Sequence, residues 1–132
     1  MDKNKIIFAI VLLCIAGITA YCAMNDKIGS ALSKKIFNSS FLTGWRISHY
    51  LTYVLLTLVF PKYWYILLIV SVMWEAVELT FFGKCLSGED NSELCEKWTT
   101  SGDVDNLLRN AAFDIIANSL GILTGYLILK YK

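Results

Sequence analysis

Glu75 and Glu78 stand three residues apart in Ser71-Val-Met-Trp-Glu-Ala-Val-Glu-Leu-Thr80, late in a long apolar run. On a helix this spacing puts both carboxylates on one face. Charge at membrane depth is costly and is turned away from lipid. Two neighbouring carboxylates also repel each other unless a proton or a cation lies between them. Further along the chain, Asn106, Asn110, Asp114 and Asn118 recur every four residues and form a polar seam down another helix. Earlier, Arg46, His49, Tyr53 and Thr57 follow a spacing that also shares one helical face.

The oxygen-rich set Glu75, Glu78, Asp114 and Asn118 suits a hard divalent cation, Ca²⁺ first, with Mg²⁺ or Mn²⁺ as alternatives. A single histidine and no thiolate ligand weaken a zinc or non-haem iron reading. His49 is suited to general-base work. Arg46, one turn away, together with Tyr53 and Arg109, could hold a substrate phosphate. Hydrogen bonding between helices is the simpler account of Asn106 and Asn110, which sit toward the interface, and Arg109 has Asp105 four residues back as a local partner. Three acids and a histidine are poorly explained as such helix glue, because membrane helices are usually joined by Ser, Thr or Asn. The tryptophans read as interface anchors.

The elements that must position these groups follow from composition. The chain has 132 residues, 56% of them hydrophobic and 17% charged, with a net charge of +1. That balance implies no nucleic-acid partner, and no zinc spacing or phosphate-binding glycine loop is present. The apolar runs are long enough to cross a bilayer, which takes roughly 17–25 residues each. The expected fold is an all-α integral membrane protein, one domain over residues 1–132, with four spans at about 6–24, 41–60, 63–82 and 106–129. The first run starts like a signal peptide, with a basic head before an apolar centre, and is read as a retained span.

Residues 27–40 carry Ile28, Ala31, Leu32 and Ile36 at helical spacing beside Lys34 and Lys35, which suggests a short interfacial helix. Asn38-Ser39-Ser40 matches a glycosylation acceptor. Pro61 makes a tight turn between the second and third spans. The polar loop 83–105 holds the acids Glu89, Asp90, Glu93 and Glu96, and also Cys85 and Cys95, a disulfide candidate that suits an oxidising compartment. Lysines are similar in number on the two sides, so they decide little. The cysteines favour cytosolic termini and a luminal or extracytoplasmic loop. Nothing in the sequence fixes the oligomeric state.

Depth links the motifs. Counting about 1.5 Å per residue from the Pro61 side puts His49 and Glu75 at roughly 18 Å, Glu78 and Asp114 at roughly 22 Å and Asn118 at roughly 16 Å. Three helices are therefore expected to bring His49, the acids and the amide to one layer, in the half of the bilayer nearer the loop.

His49, then Trp74-Glu75-Ala-Val-Glu78, then Asp114-Ile-Ile-Ala-Asn118-Ser-Leu-Gly121-Ile-Leu-Thr-Gly125 resembles the core of base-exchange phosphatidylserine synthases. The same order resembles the VanZ-like membrane family, in which a His and an acid precede an Arg and a D-x-x-x-N-x-x-G-x-x-x-G helix, here Arg109 through Gly125. The first resemblance implies Ca²⁺ on Glu75, Glu78, Asp114 and Asn118, His49 as the base, a membrane phospholipid as substrate and serine or another headgroup alcohol as acceptor. That is phospholipid headgroup transfer. The second implies a non-catalytic protein that interacts with lipid or glycopeptide, or a structural membrane component. The synthases are much longer than this chain, and VanZ-like proteins usually carry Glu-x-x-Gln where Glu75-x-x-Glu78 stands here.

Overall fold

A computed structural model describes residues 3–37, 41–88, 95 and 107–132. Their helices are α1 (Lys3–Met24), α2 (Asp26–Ser33), α3 (Gly44–Val59), α4 (Trp64–Ser87) and α5 (Leu107–Tyr131), with a 3-10 turn at Pro61–Tyr63. The described residues form no strand beyond a lone bridge between Lys35 and Thr43. Three helical stretches are long and apolar enough to cross a membrane: Lys3–Met24, Pro61–Cys85 and Leu108–Tyr131. This all-helical, membrane-compatible architecture agrees with the expectation.

The expected second span differs. α3 has 16 residues and starts at Gly44 rather than near Phe41. Thr43 is extended and caps the helix, its side chain accepting from the Arg46 amide at 3.4 Å. At the other end the Phe60 amide donates to the Leu56 carbonyl at 2.8 Å, and Pro61, unable to donate, ends the helix there. At about 1.5 Å per residue α3 is only about 24 Å long.

The interfacial helix is also shorter than expected. Asn25 caps α2 by accepting from the Ile28 amide at 3.2 Å. After Ser33 the backbone turns extended at Lys34, so Ile36 falls outside the helix, and its amide donates to the Leu42 carbonyl at 2.7 Å. Gly29, Ser30 and Ser33 lower helix propensity in this stretch. The acceptor pattern at residues 38–40 and the acids Glu89, Asp90, Glu93 and Glu96 lie outside the described residues, as do Asp105 and Asn106.

α4 runs five residues past the expected end and closes at Gly88, whose φ of +74° suits a helix C-terminus. In its last turn Cys85 is disulfide-bonded to Cys95, with Cα atoms 5.4 Å apart.

Burial is inverted relative to a water-soluble domain. The fully buried side chains include Thr57, Ser71 and Asn118, while Leu13, Leu55, Met73, Val77, Ile116 and Leu123 are exposed. Apolar outward and polar inward is what a lipid surround selects. α3 and α5 pack most closely. A Cβ on Gly121 would stand 2.5 Å from the Tyr50 carbonyl, and one on Gly125 2.8 Å from Thr57 Cβ. The two glycines thus let the backbones meet. Arg46 lies opposite Asn110 and Asp114, and Thr57 opposite Gly125, so the two helices run parallel. α4 runs antiparallel to both. α1 joins through Phe8, which stacks on Tyr63 at 4.8 Å and meets Phe60 edge-on at 5.1 Å.

Candidate functional site

Parallel α3 and α5 with antiparallel α4 between their polar faces put His49, Glu75 and Asp114 together. One ligand atom from each lies within 4.8 Å of the others. Three of the groups expected at one depth, His49, Glu75 and Asp114, thus meet from three helices. Glu75 is 2% exposed, and its Oε1 has no hydrogen-bond partner among the described residues. A buried carboxylate oxygen left so calls for a proton, a water or a cation.

Arg46 holds the cluster from one side. Its Nε donates to Asp114 Oδ1 at 3.1 Å, its Nη2 to Asn110 Oδ1 at 2.8 Å and its Nη1 to the Phe41 carbonyl at 3.0 Å. The guanidinium also lies 5.0 Å from the centre of the Phe113 ring. The acids therefore have a basic partner in Arg46. The fork of Arg46, expected to hold a substrate phosphate, is engaged with Asp114, Asn110 and the Phe41 carbonyl. Arg109 is exposed in the first turn of α5, away from this group.

Two of the four expected cation ligands are placed differently. Glu78 Oε1 accepts from Trp74 Nε1 at 2.8 Å on its own helix, and Glu78 is not one of the three clustered residues. Trp74 and Glu78 are four residues apart, so this contact was available from spacing alone. Asn118 is 1% exposed and bridges: its Nδ2 donates to Ser71 Oγ at 2.8 Å, and its Oδ1 faces His49 Nδ1 at 3.0 Å. An amide oxygen only accepts, so Nδ1 carries a proton, and in a neutral imidazole the lone pair would be on Nε2. Asn118 thus fixes the tautomer of His49. Ser71 is the residue the sequence reading passed over, although it lies one turn from Glu75 on the same face.

His49 also lines a cavity of about 100 Å³ between α1 and the α3–α4 pair. Around it are Leu12, Ile15, Ala16 and Thr19 of α1, Trp45, Ser48, Thr52, Tyr53 and Leu56 of α3, and Val70 and Trp74 of α4. Tyr53 keeps its expected place beside the site, its hydroxyl within reach of Ser71. The imidazole thus stands between a buried acidic pair and an apolar space. Such an arrangement can hold a cation on one side and present a base to a substrate on the other. Compared with known proteins, the chain matches no family model, no curated protein and no solved structure.

Proposed function

We propose that this protein is an integral membrane, divalent-cation-dependent phospholipid headgroup transferase, with α3 as a fourth crossing in the bundle. The observation that carries the reading is the meeting of His49, Glu75 and Asp114 from three helices, with the orphaned Glu75 oxygen among them. Glu75 and Asp114 supply the clustered carboxylates, with Glu78 one turn away on α4. Ca²⁺ fits the oxygen donors, and Mg²⁺ or Mn²⁺ would serve the same geometry.

In this reading Glu75 and Asp114 would hold the cation, which would supply positive charge to offset the negative charge that grows on attack. Glu78, paired with Trp74, stands in reserve one turn toward the loop. His49, oriented by Asn118, takes the proton of an incoming alcohol such as serine. The alcohol oxygen then bonds to phosphorus, the phosphorus–oxygen bond to the old headgroup breaks, and the leaving oxygen recovers the proton from His49. Water as the acceptor would make the same site a lipid hydrolase.

The test is purified protein in nanodiscs of phosphatidylcholine or phosphatidylethanolamine, with labelled serine and Ca²⁺. Labelled phosphatidylserine should form, and His49→Ala and Glu75→Gln should each abolish it. Neither exchange nor hydrolysis across lipids and cations, with folded protein, would sink the proposal. A non-catalytic, VanZ-like binding role has one observation in its favour: the closed chain Ser71–Asn118–His49 is a well-satisfied structural network. Under that role His49→Ala would leave the biological function intact.

A further inference from the structure

The cavity beside His49 is graded in polarity along its length. At the end toward the 83–105 loop its wall carries Thr19, Ser48, His49 and Thr52; at the end toward the Pro61 turn it carries Leu12, Ile15, Leu56 and Val70. α1 and α3 both carry their aliphatic residues toward the Pro61 turn and their hydroxyls toward the loop, where Trp45 and Trp74 also line the wall. α1, which closes one side, is fastened at its ends: by the Phe8, Phe60 and Tyr63 rings at one, and by the Asn25 turn into α2 at the other. Between these points it has small or slender side chains over the cavity, and its far face, with Ile10, Leu13 and Ile18, is exposed as a lipid-facing surface would be.

We infer that this cavity receives part of one acyl chain of a membrane glycerophospholipid, which enters sideways between α1 and α3–α4. The lipid's own polarity fits the gradient in only one sense. Its chain points toward Leu12, Leu56 and Val70, and its glycerol and phosphate stand at Ser48 and His49. A dry apolar cavity of about 150 Å³ is large enough for a benzene ring, so the present space takes a few carbons of a chain and leaves the rest in the bilayer. Ala16, at the middle of the α1 wall, then decides how much chain is admitted. The inference rests on the lipid reading of the site, and it adds where the lipid sits and how it arrives.

The experiment is photocrosslinking in nanodiscs of phosphatidylcholine doped with a phosphatidylcholine carrying a diazirine on its sn-2 chain. Crosslinks in the wild-type protein should map to Leu12, Ile15, Leu56 and Val70. Ala16→Trp, which fills the space, should remove at least nine-tenths of them, while Leu13→Trp on the outer face of α1 should leave them. Crosslinks confined to outward residues such as Ile10 and Leu13 in the wild type would overturn the inference, and that result does not depend on how any variant folds. Inner crosslinks unchanged in folded Ala16→Trp would overturn it as well. The two readings fail separately: inner crosslinks without any transfer would refute the enzyme and keep the lipid site, and transfer without inner crosslinks would do the reverse.

Discussion

Arg46 and Asp114 form an ion pair, and both partners are largely buried. Removing one side of such a pair leaves an uncompensated charge and costs about 3–5 kcal/mol. Arg46→Ala should therefore lower the unfolding temperature sharply in detergent micelles. Arg46→Lys should recover only part of the loss, since an ammonium cannot reproduce the three-way fork to Asp114, Asn110 and Phe41. Glu75→Gln should behave in the opposite way without added cation. It neutralises an oxygen that has no partner, so stability should hold or rise. Ca²⁺ at a hundred times its dissociation constant should stabilise the wild type by about 2.7 kcal/mol, and Glu75→Gln should lose that gain. Glu78→Gln should keep more of it than Glu75→Gln, because Trp74 already engages Glu78. Equal losses in the two variants would return Glu78 to the cation. Residue spacing gave the depth of each group but not its rotation about the helix axis. That is why His49, Glu75 and Asp114 could be expected together, while the Arg46 fork and the amide bridge through Asn118 to Ser71 could not.

The contact between α3 and α5 sets the register on which all of this depends. Gly121 and Gly125 meet the α3 backbone and Thr57 too closely for any side chain. Gly121→Ala must push the helices apart or strain them, at about 1–3 kcal/mol by analogy with overpacked cores. Gly17, in the middle of α1, has nothing near its missing Cβ, and Gly17→Ala should leave thermal stability unchanged or slightly raised. Equal losses from the two substitutions would show that the close crossing is not what holds the site. The glycine spacing on α5 was visible in the sequence as an invitation to a neighbour. Which helix accepts it follows from topology: the short Pro61 turn ties α3 to α4 as a hairpin, and the polar seams of α3 and α5 then face each other. The end of α3 was misplaced because Phe41 and Leu42 prolong an apolar run without being helical; Thr43 is the cap that spacing alone did not single out.

Taken whole, the molecule has two ends. The Phe8, Phe60 and Tyr63 rings gather the start of α1 and the hairpin turn at one, and α5 finishes there too, since Gly125 packs on Thr57. The Cys85–Cys95 disulfide lies at the other. With Cys14 and Cys22 replaced by alanine, Lys62→Cys and Lys84→Cys should label from opposite sides of the membrane. Labelling of both from one side would break the proposed topology. Apolar run length was enough to expect three of the crossing helices, because length in a bilayer is a direct physical requirement.

α3 has Leu51, Leu55 and Val59 exposed, and as the proposed fourth crossing it would offer about 24 Å to a hydrocarbon core of about 30 Å. Locked to α5 by its glycine crossing, it would have little freedom to meet that mismatch by shifting against its neighbour, so under that proposal the lipid would adapt and the membrane would thin along this side. Under the proposed function, headgroups there would be drawn down toward the plane of His49, and a phosphodiester would arrive at the depth of the proposed base. Nanodiscs of progressively longer-chain lipids, which resist that deformation, should then slow headgroup transfer even when the headgroup chemistry is held constant.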